Sequence, residues 1–142
     1  MCSSDLFLTT QAVTLYGTIV ARNTSEDGLY AADLAGTSGL IVAGSHNLVM
    51  ASTITTPADT LTSDPLLGPL QFNGGGRSHT LTHALLPGSP AIDHGINRGQ
   101  IGQFVYDQRG VGFLRTVGAD TDIGAYELGA DRIFSDGFDP QT

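Results

Sequence analysis

The sequence predicts an all-β chain, and three observations carry that prediction. Short runs alternate between apolar and polar residues. Gly, Ser and Thr are abundant where helix formers are scarce. No segment keeps apolar residues at the i, i+3, i+4, i+7 spacing of an amphipathic helix for three turns. Gly supplies 19 of the 142 residues and Ser plus Thr another 26, whereas Lys and Trp are absent and charged residues reach only 14%. Acidic residues outnumber basic ones 14 to 6, for a net charge of −8. That balance argues against binding to nucleic acid, whose phosphates require a basic face. No apolar run approaches the length of a membrane-spanning helix.

Residues 1–6 read MCSSDL. Back-translated as GTG TGC TCT TCC GAT CTN, with GTG as start codon, they match the end of a common sequencing-library adapter. This segment is therefore expected to be non-native, and the natural N-terminus to be missing. Cys2 lies inside it, which leaves the remainder without thiol chemistry or Cys-ligated metal.

Residues 12–21 read as one half-buried strand, with Val13, Leu15, Gly17 and Ile19 on one face and Thr14, Tyr16 and Thr18 on the other. Residues 23–28 form a polar turn and 33–39 a Gly-punctuated break. Apolar runs at 40–42 and 47–50, separated by Gly44, Ser45 and His46, precede a β-branched piece at 53–56. Short strands spaced by polar turns are the pattern of stacked β-solenoid coils, expected here over residues 7–60. Asn47 is expected at a coil corner, its amide bonded to local backbone. From Pro57 onward, Pro65, Pro69, Pro87 and Pro90 mingle with Gly74, Gly75 and Gly76, which predicts irregular, turn-rich backbone. Leu66, Leu67, Leu70, Leu81, Leu85, Leu86 and Ile92 make this stretch too apolar for a linker. Residues 61–128 are accordingly expected to form a C-terminal cap covering an edge that would otherwise recruit another chain. Residues 129–142 are an acidic tail and a candidate sorting signal for export machinery.

Four ordered motifs, DPLLGPLQFNGG (64–75), THALLPGSPAIDHG (82–95), DQRG (107–110) and DIGAYE (122–127), carry a family resemblance. Together they resemble the C-terminal region of bacterial right-handed parallel β-helix surface proteins of the choice-of-anchor Q type, which can carry polymorphic-outer-membrane-protein-like repeats. GSHNLV (44–49) and TPADTLTSDP (56–65) look like the coil preceding that block, and DRIFSDGFD (131–139) like the tail of many exported Gram-negative proteins. His94 stands where Ala is common in that family, and Gly76-Arg77 replaces a frequent Pro. The resemblance spans about residues 12–128. It implies the last coils of a right-handed parallel β-helix, a cap, and a secreted or outer-surface location. The functional expectation is a non-enzymatic structural or adhesive module, with surface glycans or host-cell proteins contacted mostly by upstream repeats. The competing expectation is the cap of a polysaccharide lyase or glycoside hydrolase whose active site lies upstream.

Candidate chemistry is sparse. His83, Asp93, His94, Asp107 and Arg109 are candidates for an acid/base cluster, with Asp93 and Asp107 as the carboxylate pair of a glycan-cleaving site. The weightier expectation is that Arg109 pairs with acids to fix cap backbone, with Asn47, Asp93, Asp107, Arg109, Asp122 and Glu127 as structural residues. Asp120, Asp122 and Glu127 are weak calcium candidates, as are the tail acids Asp131, Asp136 and Asp139, because their spacing departs from that of a calcium loop. His79 and His83 have the helical spacing of a zinc pair but flank a β-branched stretch, where such residues lie about 13 Å apart. No cofactor is expected. Tyr16, Tyr30, Phe104, Tyr106, Phe113 and Phe134 are expected to pack in the core or cap more than to stack on sugars.

Overall fold

The computed structural model describes residues 6–8, 13–23, 32–36, 39–74, 80–97 and 103–130. Cys2, Tyr30, Arg77, His79, Phe134 and the tail acids lie outside the described residues. The chain is all-β, with no α-helix among the described residues. No helix among those residues is long and apolar enough to cross a membrane. Two compact units divide it, Met1–Pro65 and Leu66–Thr142.

In the first unit every paired strand is parallel. Strands β1 (Leu6–Leu8), β2 (Val13–Tyr16) and β3 (Ile19–Val20) pair with β4 (Leu34–Gly36), β5 (Val42–Ser45) and β6 (Leu48–Val49), respectively. Leu6 faces Leu34, Val13 faces Val42 and Ile19 faces Leu48, offsets of 28, 29 and 29 residues. Among the described residues a third layer pairs with the second through single parallel bridges in place of ladders, Leu34 to Ser52, Ile41 to Thr55 and Leu48 to Leu61, at offsets of 18, 14 and 13. Leu34, Val42 and Val49 form the buried core, with Leu15, Val20 and Ile54 packed against it.

The alternation around Val13 and Leu15 is realised in β2, where these two are half-buried and Thr14 and Tyr16 are exposed. The single strand expected over 12–21 is nevertheless broken at Gly17, which takes φ +57°. His46, 29 residues on, holds φ +56°, so successive layers turn at the same left-handed corner. The strain at His46 is offset by its N–H, which donates to Asp59 Oδ2 at 2.8 Å.

Beside that corner Asn47 is 1% exposed. Its Nδ2 donates to Leu15 O (2.9 Å) and its Oδ1 accepts from Thr18 N–H (3.0 Å). Its partners are thus the backbone of the preceding layer, 32 and 29 residues upstream, and not local backbone as expected. Asp33 plays a similar part at the other end of the layer, accepting from Asn23 N–H (2.7 Å) and Ala51 N–H (3.1 Å). Both side chains satisfy N–H groups that the short ladders leave over.

The second unit opens with an antiparallel hairpin of β7 (Leu67–Gln71) and β8 (Thr82–Leu85), inside the stretch expected to be irregular. Gly68 and Pro69 hide it in the sequence. The ladder shifts register between Leu67 and Leu70, and exposed Pro69 sits in that shift, where no ladder donor is required. A second, looser hairpin places Tyr106 opposite Leu114. Among the described residues the interior of this unit is mainly polar. Thr82, Ser89, Asp107, Arg109, Arg115, Thr121, Asp122 and Glu127 are buried against only Leu85, Ala91, Ile123 and Ala130 as buried hydrophobics. An interior of this kind is held by hydrogen bonds and ion pairs more than by apolar burial.

Candidate functional site

The buried polar groups of the second unit converge on two arginines. Residues 107–110 form a tight turn, in which Gly110 N–H donates to Asp107 O at 3.0 Å and Gly110 takes φ +88°. Within it Asp107 Oδ1 accepts from Arg109 N–H at 2.8 Å, an Asx turn. Asp107 and Arg109 therefore meet through a turn. The Arg109 guanidinium then reaches Asp107 Oδ2 through Nη2 (2.7 Å) and Nε (3.0 Å), and donates to Glu127 O (2.7 Å). Its carbon lies 4.1 Å from the Phe113 ring centroid and 3.9 Å from that of Tyr126. Both side chains of the ion pair are essentially sealed, at 1% and 0% exposure. Planarity lets Arg serve the carboxylate fork at its edge and the rings at its faces, which Lys cannot do.

Arg115 organises the neighbouring loop. It donates to Gly124 O (2.7 Å) and Asp122 O (3.2 Å), and lies 3.4 Å from Glu127 Oε2. Glu127 in turn accepts from Val117 N–H (2.7 Å) and Asp122 N–H (2.9 Å). The Asp122 carboxylate accepts from Leu128 N–H (2.6 Å) and Asp93 N–H (2.9 Å). Asp93 Oδ1 accepts from the N–H groups of Ala119 and Asp120, and Gly118 (φ +102°) lies where an added Cβ would sit 2.9 Å from that oxygen. Glu127 N–H closes the chain by donating to Asp107 Oδ2 at 3.0 Å.

The structure thus joins Asp93, Asp107, Arg109, Asp122 and Glu127 in one hydrogen-bonded network, and the side chains of three other candidates stay outside it. His83 is exposed on β8, with Nδ1 2.7 Å from Gly68 O. His94 is exposed beside Ile92 O. Exposed Asp120 bonds Thr121 N–H. The carboxylates of Asp107, Asp122 and Glu127 are buried and taken up by N–H donors, so a sugar would have to displace those donors to reach them. Among the described residues no group of three or more His, Cys, Asp or Glu side chains is disposed to hold a metal ion. Tyr16, Phe104 and Tyr106 are exposed, whereas Phe113 packs on Arg109. Arg115, Asp33 and Asn73, whose amide donates to Thr82 O at 2.8 Å, were not anticipated. The available signal for Arg115 was a lone charge inside the apolar run Phe113–Val117 of a chain with six basic residues.

Burial raises the Glu127 carboxyl from its ordinary 4.5 to about 7, against the pull of the Asp122 and Val117 N–H groups and of Arg115. Asp122 is raised by the same desolvation. Folded Glu127 therefore keeps its proton to a higher pH than unfolded Glu127. Between pH 4.5 and 7 unfolding releases that proton, so raising the pH favours the unfolded state. The contribution is fully present below about 4.5 and is lost as pH rises through about 7. It amounts to at most about 3 kcal/mol. Urea titrations at stepped pH are expected to show stability declining over that window, and Glu127→Gln is expected to flatten the decline. An identical slope in the variant would assign it elsewhere.

Comparison with protein-family models, with curated proteins and with solved structures gives no match to this chain.

Proposed function

We propose that the chain is a structural, non-enzymatic module in which stacked parallel coils of a right-handed β-helix are ended by a cap. The constant 28–29-residue offset between the first two layers is the observation that carries this reading. Three parallel strand pairs at nearly one offset are what two successive coils of a solenoid would give. The taper of the third layer to single bridges supports termination, because a shortened coil offers the next one little ladder to extend. The second unit then serves as a plug of irregular backbone, its turns held by Asp107–Arg109 and Glu127–Arg115 in place of a ladder. The motif resemblance extends the proposal to a secreted or outer-surface bacterial protein, in which this module projects ligand-binding repeats. Deleting residues 107–127 is expected to expose apolar core and make the protein aggregate. A deletion protein that stays soluble and monomeric would overturn the cap.

A further inference from the structure

We propose that Asn73–Gly74 is a self-modification site, at which the chain converts Asn73 into aspartate and isoaspartate without an enzyme and thereby loosens the β7–β8 hairpin. The proposal goes beyond the module reading and concerns the second unit alone. The chain has four asparagines, and the residues that follow them are Thr24, Leu48, Gly74 and Arg98. Conversion begins when the amide nitrogen of the next residue reaches the asparagine side-chain carbonyl carbon. A glycine, which lacks Cβ, obstructs that approach least. Asn73 is the one asparagine so placed. The structure also dictates the glycine. Gly74 takes φ +95°, and a Cβ there would lie 2.8 Å from Cζ of Phe113, the ring that stacks on Arg109. Any side chain that would slow the reaction meets both the left-handed backbone and that ring, so the reactive pair is built into the unit.

The Gly74 nitrogen attacks Cγ of Asn73 and a C–N bond forms. Nδ2 of Asn73 leaves as ammonia, carrying the proton that the Gly74 nitrogen gives up. Water then opens the cyclic imide at either carbonyl carbon. Opening at Cγ gives aspartate, and opening at the main-chain carbonyl gives isoaspartate, with the chain rerouted through the side chain. The reaction is restrained by the hold on the amide. Asn73 Nδ2 donates to Thr82 O (2.8 Å) and Thr82 Oγ1 (3.1 Å) and lies 3.4 Å from Gln71 O, while Oδ1 accepts from Gln71 Nε2 (3.1 Å). Gln71 and Thr82 face each other in the β7–β8 register, so this one amide fastens both strands at that rung. Either product undoes the fastening. Aspartate sets a carboxylate, which has no proton to donate, against the carbonyls of Thr82 and Gln71. Isoaspartate lengthens the backbone by one atom and turns Asn73 O, 3.4 Å from Arg109 Nη1, into a carboxylate oxygen.

Storage of the intact chain in mildly alkaline buffer, followed by peptide mapping and labelling with an isoaspartyl methyltransferase, tests this directly. Asn73 is expected to convert several-fold faster than Asn23, Asn47 or Asn97. Thr82→Val removes the hydroxyl contact and is expected to speed conversion at Asn73 while leaving the other three unchanged. If Thr82→Val fails to fold by circular dichroism, guanidinium chloride replaces it, and unfolding the unaltered chain is expected to speed conversion at Asn73. In the converted chain, as in Asn73→Asp, hydrogen exchange is expected to quicken at β7 and β8 and to stay unchanged at β5. Conversion at Asn73 no faster than at the other asparagines, a rate indifferent to loss of the Thr82 contacts, or unaltered exchange at β7 and β8 after conversion would each overturn the proposal. Because the cap reading is tested by deletion of residues 107–127, either idea can fail alone.

Discussion

Replacing Arg109 with Met is expected to cost the second unit roughly 3–5 kcal/mol, enough to abolish its cooperative unfolding transition. The guanidinium contacts the 107–110 turn, the Glu127 carbonyl and two aromatic rings at once. Met has the length to refill the space between Phe113 and Tyr126, so the loss is chiefly electrostatic. It leaves the Asp107 carboxylate sealed from water without its counter-ion, and such a lone buried charge is far more costly than the pair is stabilising. A variant carrying Asp107→Asn as well is therefore expected to be less impaired than the two single losses summed. Urea unfolding of all four proteins measures the coupling. A single-variant cost below about 1 kcal/mol would mean that the pair does not hold this unit together.

Gly44→Ala is expected to be comparably severe in the first unit. A Cβ at this position would lie 1.7 Å from Leu15 O, an oxygen of the layer beneath, and Gly44 takes φ +114°. Nothing at the contact is flexible, since it is backbone against backbone across the β2–β5 ladder. The layers must part, and the loss of local pairing and of the nearby Asn47 bonds is expected to exceed about 3 kcal/mol. Gly39→Ala separates the two causes. Gly39 has φ +87° but open space where a Cβ would go, so its variant is expected to lose only about 1 kcal/mol. Thermal unfolding of both variants checks the contrast, and similar losses would show that strain, not the close approach, governs Gly44.

How far these features were legible in the sequence depends on how local their causes are. The alternation Val13–Thr14–Leu15–Tyr16 is a nearest-neighbour pattern, and it appears in the structure with the faces it predicted. The break at Gly17 was not legible, because glycine is compatible with continuing a strand and only the layer-to-layer corner selects positive φ. Asn47 was legible as a corner residue, yet its partners Leu15 and Thr18 lie a full layer away. The β7–β8 hairpin was masked by Gly68-Pro69, which reads as punctuation until the register shift gives the proline an edge position. In the candidate site, Asp107 and Arg109 announced themselves by proximity. Asp122 and Glu127 were expected as structural residues, but which backbone N–H groups they serve depends on contacts no spacing rule encodes.

The stacking of Tyr126 on Arg109 has an optical consequence. With no tryptophan in the chain, its near-ultraviolet absorption comes chiefly from four tyrosines. Tyr16 and Tyr106 are exposed, at 45% and 39%, and a largely hydrated ring gives a weaker dichroic signal than one held against a fixed charge. Tyr126, held 3.9 Å from a fixed cation, is asymmetrically perturbed and is expected to dominate the dichroic band among the described tyrosines. The second unit therefore carries its own built-in chromophore, and its melting can be followed in the intact chain without a label.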